Sequence, residues 1–343
     1  MSISFPGWFS EHFSESVSLS TGLVADIGGT NARFGWIAGP GASVEHVRVF
    51  RVTDHAGPVA AVRAYLQQLA PLLGQTAQPQ RAAFAVASAL SGDQVELTNG
   101  HWSFSRARAQ QELGLQALLV LNDFEALALS LPKLQAQQLR QWSGEASLPV
   151  TSGTLAVIGP GTGLGVAGVT FSRQAWIAMP GEGGHATLSA ADAFESELLA
   201  HVRRDHEHVS AERLLSGIGL PVLHGAVAAV QGVTVAALTS AQIVEAGLSG
   251  ADVVCSLTLD SFCALLGGFA GNVALTLGAR AGVYIGGGIV PRLGERFFAS
   301  RFRERFEGKG RLAGYLQGIP TALITDTLAA LSGAALAIEQ HGN

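Results

Sequence analysis

Twice in this chain a short apolar run stops at a cluster of glycines and a second β-like run starts at once. Residues 23–27 lead into Gly28-Gly29-Thr30-Asn31 and a strand over 32–38. Residues 155–158 lead into Gly159-Pro160-Gly161-Thr162-Gly163-Leu164-Gly165 and a strand over 166–171. Glycine admits a tight turn and lets backbone N–H groups approach a ligand, so both turns read as hairpins that cradle phosphate. Gly163, Gly165 and Gly168 match G-x-G-x-x-G, but that fingerprint needs a helix after the glycines, and residues 166–171 read as a strand. No G-x-x-x-x-G-K-[ST] occurs, which excludes a P-loop NTPase. In the first turn Thr30 and Asn31 add side-chain donors, and Asp26 has the charge to hold Mg2+ through water.

The surrounding pattern predicts an α/β fold. Val47, Val49 and Val52 mark a third strand over 46–53. Pro58 opens a helix in which Val59, Val62, Leu66, Leu69 and Leu73 share one face. A buried strand follows at 84–87, then a helix capped by Ser105 and ended by Gly114, a strand at 118–121 and a helix over 124–131 stopped by Pro132. This order gives three strands in a meander, then parallel strands joined by helices. The second half has strands at 155–158, 166–171 and 176–179, and helices at 193–204, 211–215, 221–230, 241–245 and 252–277. A strand at 283–285 ends in Gly286-Gly287-Gly288, and a strand at 322–325 precedes a C-terminal helix. Each half opens with strand, glycine turn and strand, a duplication of architecture rather than of sequence.

At 343 residues the chain is long enough for two domains of roughly 150 residues each. Its 48% hydrophobic and 14% charged residues predict packed cores. A net charge of −5 and the lack of any basic block argue against nucleic acid as a partner. The alternating charges of residues 292–311 read as a solvated helix face. Cys255 and Cys263 read as buried free thiols in a reducing compartment. Residues 1–20 read as a loosely held tail without the basic start of a signal peptide. The apolar stretch 253–277 is broken by Asp260 and Asn272 and reads as a core helix rather than a membrane span. A cytoplasmic protein is expected.

Two further clusters offer polar chemistry. Asn122-Asp123 ends a buried strand and starts a helix, where Asn122 can serve as the N-cap. The helix N-terminus predicts an ionised Asp123, hence a weak base. Phosphoryl transfer through a loose transition state tolerates such a base, because the nucleophile loses its proton late. In Met179-Pro180-Gly181-Glu182-Gly183-Gly184-His185, three glycines surround a carboxylate and an imidazole suited to fixing sugar hydroxyls. A structural role is the plain alternative for His185. His201, His206 and His208 lack H-E-x-x-H spacing, which argues against zinc.

Seven segments in this order resemble the bacterial glucokinase family of the hexokinase and actin-like ATPase superfamily. They are LVADIGGTNARFGW (23–36), LTNGHWSFS (97–105), LNDFEALALSLP (121–132), IGPGTGLGVAG (158–168), MPGEGGHATLS (179–189), VSAERLLSGIGL (209–220) and IGGGIVPRL (285–293). The resemblance implies a two-domain actin-like ATPase (ribonuclease H-like) fold with the active-site cleft between domains. The small domain would be 20–133 plus 325–343, and the large domain 134–324. It implies a homodimer that transfers the γ-phosphoryl group of ATP, with Mg2+, to the 6-hydroxyl of glucose. Gly28, Gly29, Thr30, Asn31, Thr162 and Gly163 match positions that bind ATP phosphates, and Gly287 and Gly288 match positions that border the adenosine. Asn122, Asp123, Glu182, His185 and Glu212 match the glucose ligands, with Asp123 as catalytic base. Glu212 enters only through the resemblance; alone it reads as a first-turn helix carboxylate. Ser88-Ala89 stands where the family often has Cys-Pro, close to the sugar. Competing expectations are a kinase for another hexose or an amino sugar, a non-catalytic sugar sensor, and an actin-like filament or chaperone ATPase.

Overall fold

The computed structural model describes residues 21–74, 78–88, 90–98, 100–142 and 152–341; the expected tail over 1–20 lies outside them, as do Ala89 and Asn99. Strands β1 (Gly22–Ile27), β2 (Asn31–Ile37) and β3 (Glu45–Arg51) form the expected meander, and helix α1 (Pro58–Leu73) leads to β4 (Arg81–Val86). A small hairpin, β5 (Gln94–Glu96) and β6 (Ser103–Ser105), was not expected. Its strands are three residues each, too short to show an alternation in sequence. Helix α2 (Arg106–Leu113) follows, then β7 (Ala117–Asn122) and α3 (Asp123–Ser130). The Ser105 hydroxyl accepts from the Arg108 N–H and Gly114 closes α2 in the left-handed region, as predicted.

The second half runs β8 (Leu139–Gln141), β9 (Thr154–Pro160), β10 (Leu164–Ser172) and β11 (Ala175–Gly181). Helices α4 (Ala193–Val202), α5 (Leu220–Val230), α6 (Ser240–Ser249) and α7 (Val253–Leu277) come next, then β12 (Gly282–Ile285). Short helices α8 (Val290–Leu293), α9 (Glu295–Ala299), α10 (Phe302–Glu307) and α11 (Ala313–Gln317) lead to β13 (Thr321–Ile324) and α12 (Ala329–His341). The two sheets share an order. One reads β3-β2-β1-β4-β7 and the other β11-β10-β9-β12-β13, with β8 added at its edge. In both, an antiparallel hairpin is continued by strands parallel to the first. The architectural duplication is present.

Two helices lie between the sheets. Residues of α3 and α12 share a core with residues of β9, β10, β12 and β13, while Leu331, Ala334 and Ile338 of α12 pack on Val24 of β1 and Ala83 of β4. The helices cross closely at Gly333, where a Cβ would stand 1.7 Å from the Ala126 carbonyl oxygen. Helix α7 is long and apolar enough to cross a membrane by length and composition, but 67% of its most apolar window is buried. Its Cys255 and Cys263 are free and buried, as expected.

Two expectations fail. Residues 211–215 form turns, not a helix. The Ala211 N–H donates to the Ala186 carbonyl and the Glu212 N–H to the Gly184 carbonyl, so the start of this segment is spent on a neighbouring turn. Nor are residues 292–311 one solvated helix face. They are α8, α9, α10 and the approach to α11, and they bury Phe297, Phe302 and Phe306. The charges are paired, Arg305 with Asp192 and Glu195 and Arg303 with Glu307. Short helices broken by Gly294 and Gly308 turn the Phe rings inward and the charges to partners.

Candidate active site

The parallel register of β1, β4 and β7 sets Ile27, Val86 and Asn122 side by side. The glycine turn after β1, Ser88 after β4 and Asp123 after β7 therefore share one sheet edge. The first turn closes through the Gly28 N–H on the Asn31 carbonyl at 3.0 Å, and the Thr30 carbonyl accepts from the Val52 N–H at 2.9 Å. Asp26 faces Arg33 across the β1–β2 pair, Oδ2 to Nη1 2.8 Å. Burial outweighs that partner and pushes the Asp26 carboxyl above the usual aspartate range.

Asn122 is the N-cap of α3. Its Oδ1 accepts from the Phe124 and Glu125 N–H groups, and the Glu125 carboxylate accepts the Asn122 N–H, completing a capping box. Its Nδ2 donates to the Ser88 carbonyl at 3.1 Å, which leaves one amide hydrogen for a ligand. Asp123 departs from expectation. Burial raises its carboxyl to about 6, against the lowering effect of the Phe124 N–H; the charges of Asp26 and Glu182 raise it further. Desolvation beats the helix terminus here, so the base is far stronger than a capping aspartate.

The opposite wall comes from the second half. The β9–β10 turn closes through the Gly161 N–H on the Gly163 carbonyl at 2.8 Å, and the Ile218 N–H reaches the Thr162 carbonyl at 3.3 Å. Glu212 Oε2 accepts from the Leu164 N–H at 2.8 Å. Gly163 is needed for that contact, since a Cβ there would stand 2.4 Å from Glu212 Oε2. Glu212 Oε1 lies 3.9 Å from His185 Nε2. Gly184 brings the Glu182–His185 turn onto the hairpin, because a Cβ at that position would stand 1.9 Å from the Leu164 carbonyl oxygen. Glu182 and His185 are exposed.

Asn122, Asp123, Thr162, Gly163, Glu182, His185 and Glu212 line one cavity of about 560 Å3. The other predicted residues lie outside its lining. The Asp26 carboxylate is near enough to act on Asp123. Gly28, Gly29, Thr30 and Asn31 sit at the adjoining strand end, with Thr30 and Asn31 exposed. The Gly286–Gly288 turn backs onto β9. Gly287, at φ +76°, leaves no room for a Cβ against the Pro160 carbonyl, and Gly288 faces open space. Ser88, Thr98, Phe124 and Ile218 also line the cavity and were not singled out as ligands. Thr98 and Ile218 lie within the matching segments 97–105 and 209–220, so position in a motif was the available signal.

Among the described residues, one group could hold a metal ion by its donor atoms, His224, Asp252 and Cys255. Those donors are engaged with one another. Asp252 Oδ1 caps α7 by accepting the Cys255 N–H at 2.7 Å, and Cys255 Sγ lies 3.6 Å from His224 Nε2. Burial pushes the thiol up to about 11, so it stays protonated. For Mg2+ near the cavity, Asp26 is the fitting carboxylate. One of its oxygens is held by Arg33, and a cation there would relieve its repulsion with Asp123.

The sequence profile of the family described as Glucokinase matches residues 23–341. A glucokinase of Neisseria meningitidis is 47% identical over 319 residues, 93% of this chain and 95% of the relative. One of Aromatoleum aromaticum is 48% identical over 320 residues, 92% and 94%. The crystal structure of a glucokinase from an Antarctic psychrotroph superposes with a TM-score of 0.86 at 38% identity, covering 94% of this chain and 99% of that one.

Proposed function

The chain belongs to the glucokinase family, and we propose that the cavity around Asp123 is where it carries out that family's reaction. It is an ATP-dependent hexose kinase, moving the γ-phosphoryl group of ATP to the 6-hydroxyl of glucose to give glucose 6-phosphate and ADP. The observation that carries the site assignment is Asp123, a carboxyl raised to about 6 in a cavity whose other wall is Glu182, His185, Glu212 and the Thr162–Gly163 tip.

On this reading Asn122, Glu182, His185 and Glu212 hold the sugar by its hydroxyls. Asp123 accepts a hydrogen bond from the 6-hydroxyl and receives its proton as the O6–P bond forms and the bond from the γ-phosphorus to the bridging oxygen breaks. ADP leaves with that oxygen. The N–H groups at Thr162–Gly163 and at Gly29, in the turn that the Gly28 N–H closes, face the phosphates together with the side chains of Thr30 and Asn31, and Gly287 and Gly288 border the adenosine. Mg2+, when bound with ATP, neutralises phosphate charge, and Asp26 is the residue here that would hold it through water.

The strand order common to both sheets, and the packing of α12 on β1 and β4, support an actin-like, ribonuclease H-like pair of domains. The division is 20–133 plus 325–343 against 134–324, with the cavity as the cleft. The same reading makes the enzyme a cytoplasmic homodimer. Initial rates of ADP release over a panel of hexoses and amino sugars, with and without Mg2+·ATP, test the function. Glucose should give the highest kcat/KM. An amino sugar that outruns it would move the substrate assignment and leave the chemistry in place. Asp123→Ala should cost about 10²–10⁴-fold in turnover; a near-normal kcat would sink the base assignment.

A further inference from the structure

The ring of Phe124 fills a slot left by two facing glycines. Gly159 and Gly165 pair directly across the stem of the β9–β10 hairpin. A Cβ at Gly165 would stand 2.0 Å from ring atoms Cδ2 and Cε2, and one at Gly159 would stand 2.4 Å from Cζ. Neither glycine is among the residues with positive φ, so the ring, not the backbone conformation, excludes a side chain at both. The slot also backs onto the late glycine turn, since the Gly159 Cβ position is 3.2 Å from the Gly287 nitrogen. At its other end Phe124 touches Asp123. Its N–H is shared between Asn122 Oδ1 at 2.9 Å and Asp123 Oδ1 at 3.0 Å.

We propose that Phe124 is a positioning residue, whose ring, seated over Gly159 and Gly165, sets the separation of the Asp123 carboxylate from the Thr162–Gly163 tip. The two glycines then serve the ring rather than the nucleotide. This rests on the reading of Asp123 as the base. The argument is mechanical: a close-packed interior transmits displacement, and the ring lies in contact with both strands of the hairpin at Gly159 and Gly165. A shift of about 1 Å between reacting groups costs on the order of 10²-fold in rate. Glu182, His185 and Glu212 are seated together on the β9–β10 hairpin at Leu164, so they should keep their spacing to one another and most of the sugar's hold when the wedge is lost, while Asp123 shifts relative to them.

The test compares Phe124→Ala, Phe124→Leu, Gly165→Ala, the double variant Phe124→Ala/Gly165→Ala and Asp123→Asn in the full-length enzyme. Each is measured for kcat, glucose KM, ATP KM and melting temperature. Phe124→Ala should lower kcat by about 10²-fold with little change in glucose KM, and Phe124→Leu should keep more of it. Gly165→Ala should show the same loss with the ring still present, because the new methyl displaces it. The double variant should be no worse than Gly165→Ala alone, since both changes act on one contact. Near-normal kcat in Phe124→Ala, losses that multiply in the double variant, or losses that merely follow the folded fraction would each overturn the proposal. Normal turnover in Asp123→Asn would instead overturn the base assignment; a dead Asp123→Asn beside a normal Phe124→Ala removes only the positioning role.

Discussion

A carboxyl that titrates near 6 is mostly ionised at pH 7.5, yet it takes up a proton far more readily than a surface aspartate. With Asp123 as the proposed base, turnover needs it ionised, so kcat should hold on a plateau above pH 7 and fall as pH drops through about 6. The acid limb should disappear in whatever residual rate Asp123→Asn retains. A flat kcat–pH profile between 5 and 7 would show that the titrating group is not in the rate-limiting step. The same shift sets a stability prediction. Because the folded-state value lies above the unfolded one, the stabilising contribution is fully present below about 3.8 and is lost as pH rises through about 6. At pH 7.5 the fold therefore carries the cost of a buried charge beside Asp26 and Glu182. Asp123→Asn removes it and should be more stable there by on the order of 2 kcal/mol, an advantage that shrinks toward pH 5. Denaturant melts of both proteins across that range check it, and an Asn variant less stable at pH 7.5 would contradict the burial argument. The place of Asp123 at a strand end was legible; its raised basicity was not, because desolvation depends on what packs over it.

Helices α3 and α12 share side-chain packing, but at Gly333 they approach through backbone. At Gly333 a Cβ would stand 1.7 Å from the Ala126 carbonyl oxygen and 2.9 Å from the Ser130 nitrogen, and backbone cannot rotate aside as a side chain can. Gly333→Ala should therefore push the helices apart and destabilise the protein by about 1–3 kcal/mol, lowering the melting temperature. Gly288→Ala, in open space, is the control and should melt as the parent does. This crossing also shows what local pattern conveys. Elements with their own caps were readable, as Ser105 and Gly114 for α2 or Asp252 for α7 show, because the cap is a local bond. So were the strands that end at glycine turns. Residues 211–215 misled because Ala-Glu-Arg-Leu-Leu has helical propensity, while its Ala211 and Glu212 N–H groups go to the Ala186 and Gly184 carbonyls, far away in sequence. Residues 292–311 misled because ten of the twenty are charged, with both signs interspersed, and only tertiary packing shows that Phe297, Phe302 and Phe306 are buried. Glu212 and Phe124 lacked any local signal, since each acts on a hairpin more than thirty residues away.

The cavity is built from both sheets, and its parts differ in how far they are free to move. Asn122 and Asp123 belong to the end of β7 and the start of α3, and Thr162 and Gly163 to the β9–β10 tip. These are tied together by the Phe124 ring, while α3 is pinned to α12 at Gly333. Glu182 and His185 are held more loosely. His185 is 61% exposed, and its Nε2 stands 3.9 Å from Glu212 Oε1, beyond hydrogen-bond length. Closure on a hexose should therefore pivot about the pinned points and draw the outer rim inward, with the sugar's own hydroxyls as the cross-links. Glucose should reduce the radius of gyration in small-angle scattering. Hydrogen exchange should slow at residues 97–98, 181–185 and 217–218, with residues 331–337 unchanged because Gly333 already sits in contact. Unaltered scattering together with unaltered exchange at 181–185 would mean that the cavity is preformed around the sugar. Protection that instead appears first across 331–337 would put the pivot somewhere other than the helix crossing.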